Sequence, residues 1–148
     1  MSRDPFQILE AEHQEALEAL LRLEHAAQAL AQHSAGAEDR ETVRSVLEVL
    51  MTSVKDHNEK EEEALFPLLG DDAPTMIFED EHRRLWALEL DLQLALQRPA
   101  PDTQIARLSL EIVELLREHI ARENEVLFPV ARSILGPEGI SALGRRIN

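Results

Sequence analysis

Residues 57–67 read HNEKEEEALFP and residues 119–129 read HIARENEVLFP. The two stretches share His, Glu, Glu, Leu, Phe and Pro at matched positions, with His57 opposite His119 and Glu61 opposite Glu123. A shorter match pairs Glu12-His13 with Glu81-His82. In chain order the elements are a single His13, then His57-x-x-x-Glu61, a single His82, then His119-x-x-x-Glu123. A repeat of this kind predicts two related halves joined by a pseudo-twofold axis, with one element on each of four helices.

Outward from the repeat, the apolar spacing is helical almost throughout, and Gly and Pro fall in a few clusters. The first predicted helix opens at Asp4-Pro5, an N-cap followed by Pro in the first turn, and runs to about His33, where Ser34-Ala35-Gly36 breaks it. Its buried stripe holds Leu9, Ala16, Leu20, Leu23 and Ala27. The second begins near Asp39, carries Val43, Val46, Leu47, Leu50 and Val54, and closes at Pro67 and Gly70-Asp71-Asp72. The third spans Pro74 to the breaker Arg98-Pro99-Ala100-Pro101-Asp102. The fourth runs on past Leu108, Ile112, Leu115 and Leu116 to about Leu135. Gly136-Pro137-Glu138 is expected to stop it and to start a short fifth helix, Ile140 to Ile147, capping one end. The expected fold is all-α: a single domain over 1–148, an up-down-up-down four-helix bundle with a short C-terminal fifth helix.

Composition narrows the function classes. A chain of 148 residues, 44% hydrophobic and 30% charged, is long enough to bury a core unaided and has the balance of a water-soluble globular domain. Twenty-nine acidic against fifteen basic residues give a formal charge of -14, which repels nucleic acid and anionic lipid and attracts cations. The absence of cysteine excludes disulfides, thiolate metal sites and Cys nucleophiles, and the absence of tyrosine excludes a phenolate ligand. Met1-Ser2-Arg3-Asp4-Pro5 lacks the basic-then-apolar pattern of a leader, and nowhere do about 18 apolar residues run together. The expectation is a cytoplasmic, untethered protein with neither nucleic acid nor membrane as partner.

His and Glu four residues apart stack on one helix face, about 6 Å apart along the axis. Their neighbours turn them inward: His57 shares a stripe with Leu50, Val54, Ala64 and Leu65, and His119 with Ile112, Leu115, Leu116, Val126 and Leu127. His13 lies one turn from Leu9 and Leu17, and His82 one turn from Phe78 and Leu85. Ionised carboxylates in an apolar interior need a compensating charge, and these stripes hold no Lys or Arg. A cation supplies the compensation. Imidazole with carboxylate suits iron, manganese or zinc, and four His with two Glu exceed what one ion takes. The expected arrangement is two ions, roughly 3.5–4 Å apart as in two-metal sites. His13 and His57 are assigned to one, His82 and His119 to the other, with Glu61 and Glu123 as bridges.

This order of residues resembles the hemerythrin-like family, the HHE cation-binding domains, over nearly the whole chain; the repeated LFP and the terminal PEGISALGRRI are similar to it as well. The resemblance implies two iron ions in a non-haem di-iron centre, oxo- or hydroxo-bridged when oxidised, and binding of dioxygen or nitric oxide, or sensing of iron and oxygen. Some members are implicated in repair of iron centres. Oxygen-carrying members use a fifth His on the third helix, spaced four from its partner; here the positions four from His82 are Phe78 and Trp86. One iron therefore lacks a nitrogen ligand and has more open coordination, a gap that Glu79 is placed to fill. The cysteine segment of repair-type members and the Tyr of other variants are absent.

Among the remaining candidates, His25 and His33 are expected at the surface, and Glu59 to Glu63 on a solvated face apart from Glu61. Glu10 and Glu79 stand three before His13 and His82. They are expected either to hold imidazole tautomers or to be exposed. Glu-x-x-His is also the unit of ferritin-like di-iron bundles, an alternative architecture. Phe66, Phe78, Phe128 and Trp86 are expected in the core, some walling a ligand pocket. The leading functional expectation is a metal- and oxygen-binding protein that stores, senses or scavenges a diatomic. The alternatives are a di-iron oxidoreductase acting on peroxide or nitric oxide, an iron-buffering or repair protein, and, more distantly, a haem-binding bundle.

Overall fold

The Asp4 side chain accepts the backbone N–H of Phe6 at 2.9 Å and Pro5 occupies the first turn, so the first helix starts where its free donors are capped. This helix, α1 (Pro5–Ala31), opens a computed structural model that describes residues 3–32 and 36–147. The expected breaker at Ser34-Ala35 and the expected surface residue His33 lie outside the described residues; His25 is exposed.

The second helix, α2 (37–69), begins after Gly36, whose N–H donates to Asp39 at 3.0 Å. It contains two wider turns of π-helix, Leu50–Val54 and Glu61–Leu65. Gly70 ends it at φ 54°, a left-handed conformation that glycine adopts without steric cost, and a short 3-10 turn, Gly70–Asp72, follows. Then come α3 (Thr75–Gln97) and α4 (Asp102–Ile147). The latter contains a third π turn, Glu123–Leu127. Where the sequence predicts a stop before a separate helix, the backbone breaks at Gly136 (φ 64°, ψ -178°), and helical structure resumes and continues to Ile147 across the kink. By length and composition α4 would also qualify to cross a bilayer, its most apolar window having a mean hydropathy of 1.2. In the folded chain it carries His119 and Glu123 into the interior.

Helix α1 packs against α2 and α4, and α3 packs against α4 and α2, closing a ring of four. Arg40 of α2 ties down the loop before α4 by donating to Asp102 at 2.5 Å and to the Ala100 carbonyl at 2.9 Å. The residues expected on the helix stripes are buried except Leu17, which is partly buried, and Val126. Val126 is 56% exposed because it sits in a π turn, where each residue advances less around the axis than the α period assumes, so Leu127 turns inward and Val126 outward. Trp86, expected in the core, is only half-buried, under the Lys55 ammonium at 5.2 Å.

The core is two apolar clusters. One is built from Leu20, Leu23, Val46, Leu50, Leu92, Ile105, Ile112 and their neighbours; the other from Phe6, Leu9, Leu65, Phe66, Leu69, Phe78, Phe128 and Leu143. Between their sequence positions on every helix stand the buried residues His13, His57, Glu61, His82, His119 and Glu123, a polar layer across the middle of the bundle.

Candidate metal centre

Each helix contributes what its repeat element predicts. His13, His57, His82 and His119 are buried, and Glu61 and Glu123 are fully buried. Their side chains converge into two groups of four, His13, His57, Glu61 and Glu123 in one, Glu61, His82, His119 and Glu123 in the other, each offering ligand atoms within 4.8 Å of one another. The two carboxylates belong to both groups. His13 and His57 rings lie 4.6 Å apart and His82 and His119 rings 4.9 Å apart.

The outward-facing ring nitrogens are all held. Nδ1 of His57 donates to Glu12 Oε1 at 2.9 Å, Nδ1 of His119 to Glu81 Oε1 at 2.9 Å, Nδ1 of His82 to Glu62 Oε2 at 2.7 Å, and Nδ1 of His13 to Asn124 Oδ1 at 2.7 Å. For His57, His82 and His119 the partner is a carboxylate, which can only accept; that makes Nδ1 the protonated nitrogen and leaves Nε2 of a neutral imidazole with its lone pair toward the centre, whereas Nε2 of His13 meets Glu123 Oε1 at 2.8 Å. Glu12 and Glu81 are each braced by a cation from the same helix as the His they hold: Lys60 to Glu12 at 2.8 Å, and Arg122 to Glu81. The repeat therefore extends to complete chains, Lys60–Glu12–His57 and Arg122–Glu81–His119. The Phe of each LFP serves the other half. Phe128 stacks on His13 with ring centroids 5.3 Å apart, and Phe66 stacks on His82 at 6.1 Å.

These holding groups differ from those expected. Glu10 is exposed, and neither Glu10 nor Glu79 belongs to either group of four. The holding groups are Glu12, Glu62, Glu81 and Asn124. Glu62, expected on a solvated face, is only partly exposed because its carboxylate turns to His82. Phe78, one of the two residues four positions from His82, packs edge-on against His119 at 5.6 Å.

Glu61 and Glu123 each begin a π turn, closed by the N–H of Phe66 on the Glu61 carbonyl and of Phe128 on the Glu123 carbonyl. The next residues, Pro67 and Pro129, have no N–H to restore the α pattern, so the LFP repeat favours the wide turn just after each carboxylate.

Electrostatics sets these groups far from their ordinary ionisation. Burial, with Glu123 beside it, pushes the Glu61 carboxyl well above the usual carboxylate range. Burial opposes ionisation of Glu123 too, but His119 beside it and the hydrogen bond with His13 hold it well below that range. His119 is raised despite burial, by Glu123 and Glu81. Glu12 is lowered to about 2 against its own desolvation by His57 and Lys60. Without a cation the centre thus needs protons to balance two buried carboxylates.

The donor set fits a metal. Eight buried side-chain N and O atoms lack a hydrogen-bond partner among the described residues, and six of them are here: Nε2 of His57, His82 and His119, both Glu61 oxygens and one Glu123 oxygen. Clustered lone pairs without donors are what a bound cation satisfies. A family model of the hemerythrin HHE cation binding domain matches residues 4–131, a span that includes all six residues. A search of curated proteins gave no match.

Proposed function

The chain belongs to the hemerythrin HHE cation-binding domain family, and on that premise we propose that it is a non-haem di-iron protein that binds dioxygen or a related diatomic. The observation that carries this reading is the sharing of Glu61 and Glu123 between two His pairs whose Nε2 atoms converge on them. His13 and His57 would hold one ion and His82 and His119 the other, with both carboxylates spanning the pair. Iron suits mixed imidazole and carboxylate ligation, and when bound it supplies redox chemistry and open coordination positions. An up-down-up-down course of the helices, with the segment beyond Gly136 folded over one end, belongs to the same reading.

The chain's own residues do the rest. Glu12, Glu62, Glu81 and Asn124 fix the imidazole tautomers and orientation before any ion arrives. Phe66 and Phe128 hold two of the rings flat. A cavity of about 80 Å³ lies beside His13, His57 and His119, with Ala16, Val54, Leu116 and Ile120 among its walls. Its apolar side suits a small uncharged molecule such as dioxygen or nitric oxide more than a polar substrate.

The experiment is an absorption spectrum of the iron-loaded, reduced chain before and after oxygen is admitted, and again after it is removed. Bands that appear and disappear with oxygen support a binding protein that stores, senses or scavenges. Irreversible oxidation with consumption of peroxide or nitric oxide supports the oxidoreductase alternative, and absence of any iron-dependent band contradicts both.

A further inference from the structure

Glu89 lies on α3 seven residues beyond His82, two helical turns and about 10 Å along the same face. It is 2% exposed, and its Oε2 has no hydrogen-bond partner among the described residues. It lines a cleft of about 270 Å³ between α2 and α3 that also reaches Asn58, Glu62 and His82, and so connects the solvent to the His82 side of the centre. The charged groups around that cleft are engaged elsewhere. Lys55 pairs with Glu59 at 3.2 Å, Glu62 with His82 at 2.7 Å, and Arg83 with Asp80. The acidic residues of α4 facing α3, Glu111, Glu114 and Glu118, line a separate groove with Arg84 and Asp91.

A buried carboxyl without a cation is costly to keep charged, and a hydrophobic residue at this place would pack without that cost. Burial raises the Glu89 carboxyl to about 8, so it holds its proton at neutral pH. Reversible carriage of a diatomic needs no such group, whereas reduction of a bound ligand consumes protons.

We propose that Glu89 is a proton-carrying residue serving the centre through this cleft, which makes the site competent to reduce a peroxide-type ligand. The inference rests on the di-iron reading above. In the step it assists, the O–H bond of Glu89 breaks and its proton passes along solvent in the cleft that reaches His82, forming a new O–H bond on the ligand as the O–O bond is cleaved. The two electrons come from two ferrous ions, one from each, and the second proton from hydronium in the solvent, so that hydrogen peroxide, two protons and two electrons give two waters. The Glu89 carboxylate then regains a proton from solvent at the cleft mouth.

The test uses the full chain and the variants Glu89→Gln and Glu89→Asp. Infrared spectra of the metal-free chain at neutral pH are expected to show protonated-carboxyl absorption, shared with Glu61, that diminishes by one group in Glu89→Gln. In stopped-flow reaction of the ferrous chain with hydrogen peroxide, Glu89→Gln is expected to lower the rate about 100-fold at unchanged iron content. It should also flatten the rate profile between about pH 6 and 9, and Glu89→Asp should recover part of the rate. Equal rates and profiles for Glu89→Gln and the parent at equal iron content overturn the proposal and leave the di-iron reading intact. So does protonated-carboxyl absorption that is the same in the parent and in Glu89→Gln. A parent chain that takes up no iron overturns the di-iron reading itself, and this proposal with it.

Discussion

The Nδ1–H of His57 meets Glu12 Oε1 at 2.9 Å, although Glu12 is the sequence neighbour of His13. Helix α1 thereby orients a ring of α2 while presenting its own His13 one residue later. Glu81 does the same from α3, holding His119 of α4 beside its own neighbour His82. Each single-His helix thus contributes an imidazole and the carboxylate that fixes a different imidazole.

Glu12→Ala removes that acceptor and leaves Lys60 paired with Asp56 alone. Metal affinity is expected to fall about 10- to 100-fold, the usual effect of losing a group that orients a metal-bound His. Glu12→Gln, which keeps an accepting oxygen, should fall between. Competition with a chelator of known affinity measures both.

His57→Ala and His119→Ala take away an Nε2 donor and leave Glu61 and Glu123 facing an apolar core with less compensation. Bound iron should drop to one ion per chain or fewer, and the loaded chain should lose about 3–5 kcal/mol, the cost of breaking a buried charge pair. Metal analysis and urea unfolding on the same preparations check this. A variant with full iron content contradicts the ligand assignment.

Acid should release the metal. A ligating Nε2 must be unprotonated, so affinity falls as pH falls. In the metal-free chain, Glu123 and Glu81 outweigh burial and raise His119, so protons begin to compete above the ordinary imidazole value of about 6.5. Release into a chelator, followed from about pH 8 downward, should set in before pH 6.

Glu89 gives stability a pH dependence of the opposite sense. Its carboxyl sits at about 8 in the folded chain against an ordinary value of 4.5, so between those values the folded state binds the extra proton. Stability from this group is fully present below 4.5, declines as pH rises and is lost above about 8. Glu89→Gln, neutral throughout, should make the downward slope shallower, the remainder coming from Glu61 and His119. Urea unfolding of the metal-free parent and variant across that range measures the difference.

The six central residues were legible because they repeat at helical spacing among apolar neighbours. Their holders were not, since the period of a helix shows which face a residue occupies and not what comes to meet it from another helix. Hence Glu10 and Glu79, one turn from their His, looked better placed than Glu12 and Glu81. The repeat nevertheless carried the signal: Glu precedes both single His, and a basic residue, Lys60 or Arg122, precedes both paired Glu. The π turns break the 3.6-residue period that exposes helices, and Pro67 and Pro129 were their only trace. Glu89 lies on the stripe of His82, Leu85, Leu92 and Leu96, so its burial was readable once position outweighed charge.

Anomalous diffraction at the iron edge from crystals of the iron-loaded chain tests the central claim most directly. The account expects two peaks per chain, one against His13 and His57, one against His82 and His119, both within bonding reach of Glu61 and Glu123. A single peak, or density outside the layer formed by these six residues, would contradict it.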